Sequence, residues 1–335
     1  MKLSFKTAVV GAALVLTAAG ALTIPAAPAE AGSVLHPFSA DSPWNTPIDQ
    51  AHAKYSDPNS IENRQFRDTS LANSWIGGES ENLLFETPVN APVAKWTFDT
   101  LNDGGRFSSN GTLQIRTPKE LTITHGSDGW SIFTDPDGVH YWETWAATYN
   151  ASSRTYHVNY MVKGNLNGTG WGHDGAGAGI RAAGASLLGG LIQPEELDKL
   201  SIEHALPIEL DWSQLKAAVN PSDQFVFPAI SADSDSTTSY PYHGTIPMGA
   251  HFALPADLDI SHAGLTPHGH ALAKAFQKYG GYVVDAAGHT ASIAMVTGGT
   301  KQQLDNLHQD VAWIRDHLVM IFPAGDGHES RTLAQ

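Results

Sequence analysis

In the stretch Tyr141-Trp142-Glu143-Thr144-Trp145 one carboxylate stands between two indoles. Aromatic rings stack on sugar faces, and a carboxyl group can hold or give up the proton that bond cleavage needs. Glu143 is therefore a candidate catalytic residue of a sugar-cleaving site. Hydrolysis of a glycosidic bond commonly takes two carboxyl groups flanking the bond. Asp174, in the glycine-rich stretch from Gly164 to Gly190, is the candidate second one. Trp171, His173 and Arg181 are the other large polar or aromatic members of that stretch, and long irregular loops of this kind often carry function. A β-eliminating lyase would instead use His157 or Tyr160 as base, with Arg181 or Lys163 neutralising a uronate. The plainer alternatives are a rim Glu143 paired with Lys163 or Arg154, and a His173–Asp174 hydrogen bond internal to the loop.

Other chemistries find less support. There is no cysteine, no G-x-S-x-G and no H-E-x-x-H. His262, His268 and His270 surround a helix start without the spacing of a metal pair. Asp135-x-Asp137 and Asp233-x-Asp235 do not complete a calcium loop. Gly177-x-Gly179-x-x-Ala182 lacks the preceding strand of a dinucleotide fingerprint. The expectation is no metal and no cofactor. His243 and His251 flank "GTIPMGA" and can reach a common site, which makes His243 a candidate substrate-binding residue.

The elements that must position these residues read as mostly β. Short Val/Ile/Thr/aromatic runs lie at Leu121–Thr124, Trp130–Phe133, Val139–Thr148, Thr155–Val162, Ile208–Leu210, Phe225–Phe227, His251–Leu254 and Tyr282–Val284. Asp135-Pro136-Asp137-Gly138 is a turn between two of them. Thr266 and Pro267 start a helix ending near Tyr279, and Leu304, Leu307, Val311, Ile314 and Leu318 recur at helical spacing from about Gln302 to Leu318. A shorter helix starts at Pro194. The expected fold is mainly β, a β-sandwich or jelly-roll with a few peripheral helices and a loop-rich N-terminal segment. Period 2 then puts Tyr141, Glu143 and Trp145 on one strand face. If Tyr156, Val158, Tyr160 and Val162 lie beside Trp142, that face is shared with His157, Asn159 and Lys163. A one-residue slip puts Glu143 with Val158 and Tyr160 instead.

Residues 1–31 read as a signal peptide: Lys2 and Lys6, an apolar run from Ala8 to Ile24, then Ala29-Glu30-Ala31. The mature chain, 32–335, is expected to be one secreted, extracellular, monomeric β-rich domain, long enough to fold by core burial without disulfides. A formal charge of −15 disfavours nucleic acid and anionic membranes as partners. It also disfavours polyanionic glycans unless a basic cleft exists, and leaves neutral ones without penalty.

The motifs "PFSADSPWNTPI", Trp142-Glu143-x-Trp145, "RAAGASLLGGLIQPEEL", "IEHALPIEL", "FVFPA", "IPMGAHFAL" and "KYGGYVVDAAG" resemble, in order and over nearly the whole mature chain, a family of secreted bacterial proteins. The resemblance implies one domain and marks Asn45, Glu143, His204 and Asp285 as motif residues; no activity carries over. The functional expectation is a secreted carbohydrate-active enzyme, most simply an endo-acting glycoside hydrolase. A polysaccharide lyase and a non-catalytic glycan-binding or cell-surface protein are the alternatives. Its candidate catalytic residues are Glu143, Asp174 and His157. Its candidate substrate contacts are Tyr141, Trp145, Asn159, Tyr160, Lys163, Trp171, His173, Arg181, His204 and His243.

Overall fold

The computed structural model describes residues 34–78, 83–123, 128–172, 179–233, 238 and 241–322. The chain is mainly β, with two large sheets and few helices, as its patterning predicts. Strands β1 (Lys54–Tyr55) and β2 (Asn73–Gly77) open the first sheet. The chain then builds the second sheet from β3 (Leu84–Phe85), β4 (Val93–Asp103), β5 (Arg106–Arg116), β6 (Ser131–Thr134), β7 (His140–Trp145), β8 (Thr148–Asn150) and β9 (Thr155–Asn165). It returns to the first with β10 (Leu206–Leu210), β11 (His251–Ala253), β12 (Gly281–Ala286), β13 (Thr290–Met295) and β14 (Val319–Phe322). The first sheet runs β1-β14-β11-β12-β10-β13-β2, and the second β3-β6-β7-β9-β4-β5 with β8 paired to β9. Parallel pairs occur in both, including β10 with β12 and β13 with β2.

Among the described residues the α-helices are α1 (Ile61–Arg67), α2 (Pro194–Lys199), α3 (Pro267–Lys278) and α4 (Lys301–His317). Their ends follow local chemistry. The Thr266 hydroxyl accepts from Gly269 N at 3.1 Å while Pro267 fills the first turn, where a missing N–H costs nothing. Thr300 and Gln303 form a reciprocal capping box at α4. The periodic residues Leu272, Phe276, Leu304, Leu307, Val311 and Ile314 are buried in the main core with Val284 and Ile293 of the sheet. At about 25 cal/mol per Å² of apolar area removed from water, this burial is what keeps the helices docked.

The N-terminal segment wraps this core. Trp44 stacks on Trp171 at 5.0 Å, and both rings meet Tyr282 edge-on. Asn45 ties the wrap to itself, donating to the Pro37 and Ser39 carbonyls at 2.9 and 3.1 Å. A second cluster, with Trp96, Phe98, Phe133, Trp142 and Met161, belongs to the second sheet alone.

Two expected strands are absent. Phe225–Phe227 is irregular, joined to Met248 by an isolated bridge, and residues 121–123 form no strand. The long β4–β5 hairpin was not legible as strands, because β5 is exposed along most of its length and carries Ser, Asn and Gly where a buried strand would carry apolar residues.

Candidate functional site

Two strands of the first sheet each end on a carboxylate set among apolar residues: Glu209 in Leu206–Leu210 and Asp285 in Gly281–Ala286. Strands β10 and β12 are parallel, and a register shift after Ile208 brings Glu209 opposite Asp285. On its other side Glu209 is opposite Ser292 of β13. Both acids thus emerge together at the carboxyl ends of parallel strands, where open sheets commonly leave a crevice for ligands.

Arg181 closes the group from the glycine-rich loop. Its side chain is fully buried, its Nη1 contacts Glu209 Oε1, and the same nitrogen lies 3.9 Å from Asp285 Oδ2. The guanidinium lies against the Trp130 ring, 5.3 Å from its centroid. A third carboxylate, Asp233, accepts a 2.5 Å hydrogen bond from the Tyr242 hydroxyl. Burial raises the Asp285 pKa well above the usual carboxylate value. The charges of Asp233 and Glu209 raise it further, and Arg181 opposes them. The Tyr242 phenol is also pushed up, by burial and by Asp233.

Glu209, Asp233, Tyr242 and Asp285 form the floor of a cleft of about 1380 Å³. One wall is the rim of the second sheet, with Asp128, Trp130, Trp145 and Tyr160. The other is β2 and the start of α4, with Trp75, Lys301, Asp305 and His308; Trp212 also lines the cleft. Trp75 and Trp145 are 50% and 39% exposed, so their faces are open to a ligand. The Trp145 Nε1–H donates to Asp128 at 3.1 Å, and Trp75 packs in a tilted contact against His308, with ring centroids 4.6 Å apart.

Glu143 is not in this cleft. It is completely buried beneath the loop that carries Arg181. Its carboxylate accepts from Ile180 N at 3.1 Å, Ser186 Oγ at 2.5 Å and Leu187 N at 2.7 Å. The two flanks of the Arg181 turn are therefore pinned to β7 by one side chain. Burial raises the Glu143 pKa, and the three donors and Arg181 oppose it. The turn itself needs glycine. Gly184 has φ +76°, and a Cβ at Gly179 would lie 1.8 Å from the Ala185 carbonyl oxygen.

The pairing of β7 with β9 explains the rest. Trp145 is opposite Tyr160, Glu143 opposite Val162 and Tyr141 opposite Gly164. This is the alternative register, so Glu143 shares its face with Tyr160 and not with Lys163, which is opposite Trp142 and holds its ammonium over that ring at 5.5 Å. His157 and Asn159 are exposed, and His157 bonds Thr97 Oγ1 at 3.1 Å beside Asp99. Tyr141 and Trp171 are core residues against Phe38 and Trp44. His204 is buried in an ion pair with Glu196 at 3.1 Å, and its Nδ1 lies 2.9 Å from the Ala205 carbonyl. His243 is exposed, whereas His251 is buried and stacked on Tyr282, so the two share no site. His173 and Asp174 lie outside the described residues. Of the expected site residues, Trp145, Tyr160 and Arg181 come together.

Glu209 escaped the sequence reading and Asp285 entered it only as a motif residue of the resemblance, although both carry a legible signal: a lone carboxylate near the end of an apolar strand, in "LPIEL" and "GYVVDA". A charge there is costly unless compensated, which marks it for chemistry or for pairing. Among the described residues no group of three or more His, Cys, Asp or Glu is arranged to hold a metal. Comparison with protein-family models, with curated proteins and with solved structures finds no match to this chain.

Proposed function

We propose that this chain is a secreted glycoside hydrolase acting within glycan chains, with Asp285 as general acid and Glu209 as its partner carboxylate. The observation that carries this reading is the Glu209–Asp285 pair, set in unlike environments on the floor of a cleft walled by tryptophans. Two neighbouring carboxyl groups, one in direct contact with a guanidinium and the other raised in proton affinity by burial and nearby carboxylates, suit acid and nucleophile or base roles.

Asp285 donates its proton to the glycosidic oxygen as the bond to the leaving sugar breaks. Glu209, charge-compensated by Arg181, faces the anomeric carbon and either attacks it or deprotonates a water. Arg181 also reaches Asp285, so it stabilises the carboxylate left when the proton departs. Asp233, held by Tyr242, favours the protonated form of Asp285 before the bond breaks. The exposed indoles of Trp75 and Trp145, on opposite walls, provide sugar platforms on both sides of the floor, which suits an endo-acting enzyme.

The test is a polysaccharide panel assayed for new reducing ends with the wild type, Asp285→Asn and Glu209→Gln. Release by the wild type and its loss in both variants is expected. Absence of release on every neutral polysaccharide, or full activity of either variant, rejects the reading. The anomer first formed, read by NMR, assigns Glu209: retention makes it the nucleophile, inversion the base.

A further inference from the structure

The charge of the cleft selects its occupant. Carboxylates from both walls and the floor line it: Asp128, Glu209, Asp233, Asp285 and Asp305. Lys301 is the one lysine or arginine among the described lining residues, and Asp305 holds its ammonium with both oxygens, at 2.7 and 2.6 Å. Arg181, behind the floor, is engaged by Glu209 and Asp285.

We infer that the cleft takes uncharged glycans and excludes those bearing uronates or sulfates, an inference that rests on the glycan-cleft reading above. A uronate carboxylate entering here would find no cation uncommitted to an acid among the described lining residues, and would come close to Asp128 and Asp233. Like charges in a partly desolvated cleft repel far more strongly than in water. Hydroxyl groups meet the opposite situation. Carboxylates are strong acceptors for O–H donors, and the exposed indoles take the apolar sugar faces. The overall charge of −15 acts in the same direction at longer range, slowing the approach of a polyanion.

The same distribution argues against β-elimination. That reaction requires the uronate charge to be neutralised so that the carbon-bound proton becomes acidic. It also requires a base: His157 does not line the cleft, and burial pushes the Tyr160 phenol up, away from that role.

The experiment titrates tryptophan fluorescence of the intact mature protein with hexasaccharides of equal length, at low and high salt. The neutral set comprises β-glucan, xylan, arabinan and galactan fragments; the anionic set comprises oligogalacturonate and oligomannuronate. At least one neutral hexamer should bind with little salt dependence, and every oligouronate at least about tenfold more weakly. High salt and the Asp128→Asn variant should both narrow that gap. Oligouronate binding that equals the best neutral ligand, or unsaturated uronate among the products, overturns the inference. If no hexamer of either kind binds, the glycan cleft itself is rejected and the inference falls with it. Neutral binding without reducing-end release leaves the selectivity standing and rejects the hydrolase reading alone.

Discussion

Glu209 and Asp285, on adjacent parallel strands, both contact one nitrogen of Arg181. Three parts of the chain that are distant in sequence thus converge on a single buried charge cluster.

Asp285 couples activity and stability to pH with one sign. Its proton affinity is raised in the folded state, so its contribution to stability is fully present below the ordinary carboxylate range. That contribution is lost as pH rises through the raised value. Activity that needs the protonated acid falls along the same limb. Asp285→Asn should therefore melt at a higher temperature than the wild type at neutral pH, while turnover drops at least about hundredfold. Scanning calorimetry and initial rates on the same preparation check both; a lower melting temperature for the variant contradicts the assignment.

Removing Arg181 leaves Glu209 buried without its counter-charge. Loss of one partner of a buried pair costs about 3–5 kcal/mol. Arg181→Met should show a loss of this size in urea unfolding, and adding Glu209→Gln should recover part of it. A double-mutant cycle with no coupling would mean that the pair does not act as a unit.

Glu143→Gln acts on the loop, not on the chemistry. An amide can accept through one oxygen only, so its nitrogen faces one of the backbone donors of Ile180 or Leu187. A buried donor left without an acceptor costs about 1–3 kcal/mol. The variant should lose stability by that amount, with kcat lowered through displacement of Arg181. Unchanged stability would remove Glu143 from this role.

His251 supplies an acid limb. Burial against Tyr282 pulls its pKa from 6.5 down to about 4, and its Nε2 lies 2.8 Å from the Tyr279 carbonyl. A base whose folded pKa is depressed gives stability that is present above 6.5 and lost as pH falls toward 4, here on the order of 3 kcal/mol. Between pH 7 and 4 the unfolding free energy of the wild type should fall relative to that of His251→Gln by about this much.

What the sequence determined by itself was local. Helix α3 was legible because a cap, a proline and an apolar period of 3.6 lie within one short window, α4 from its apolar period and α2 from its leading proline, and these signals act over a turn or two of chain. The mainly-β class followed similarly from short β-branched runs and turns. The expected strands at Trp130–Phe133, Thr155–Val162 and Tyr282–Val284 fall on β6, β9 and β12 within a few residues. The site was not local. Glu143 looked like a cleft residue because its tryptophan neighbours are visible in sequence, whereas the Ile180 and Leu187 amides that bury it are not. Whether it met Lys163 or Tyr160 depended on a one-residue choice of register between β7 and β9, and period 2 alone cannot make that choice. Glu209 and Asp285 became a pair only through parallel strand pairing and the shift after Ile208. Those follow from how the whole sheet packs under its helices, a sum of many contacts that no short stretch of residues contains.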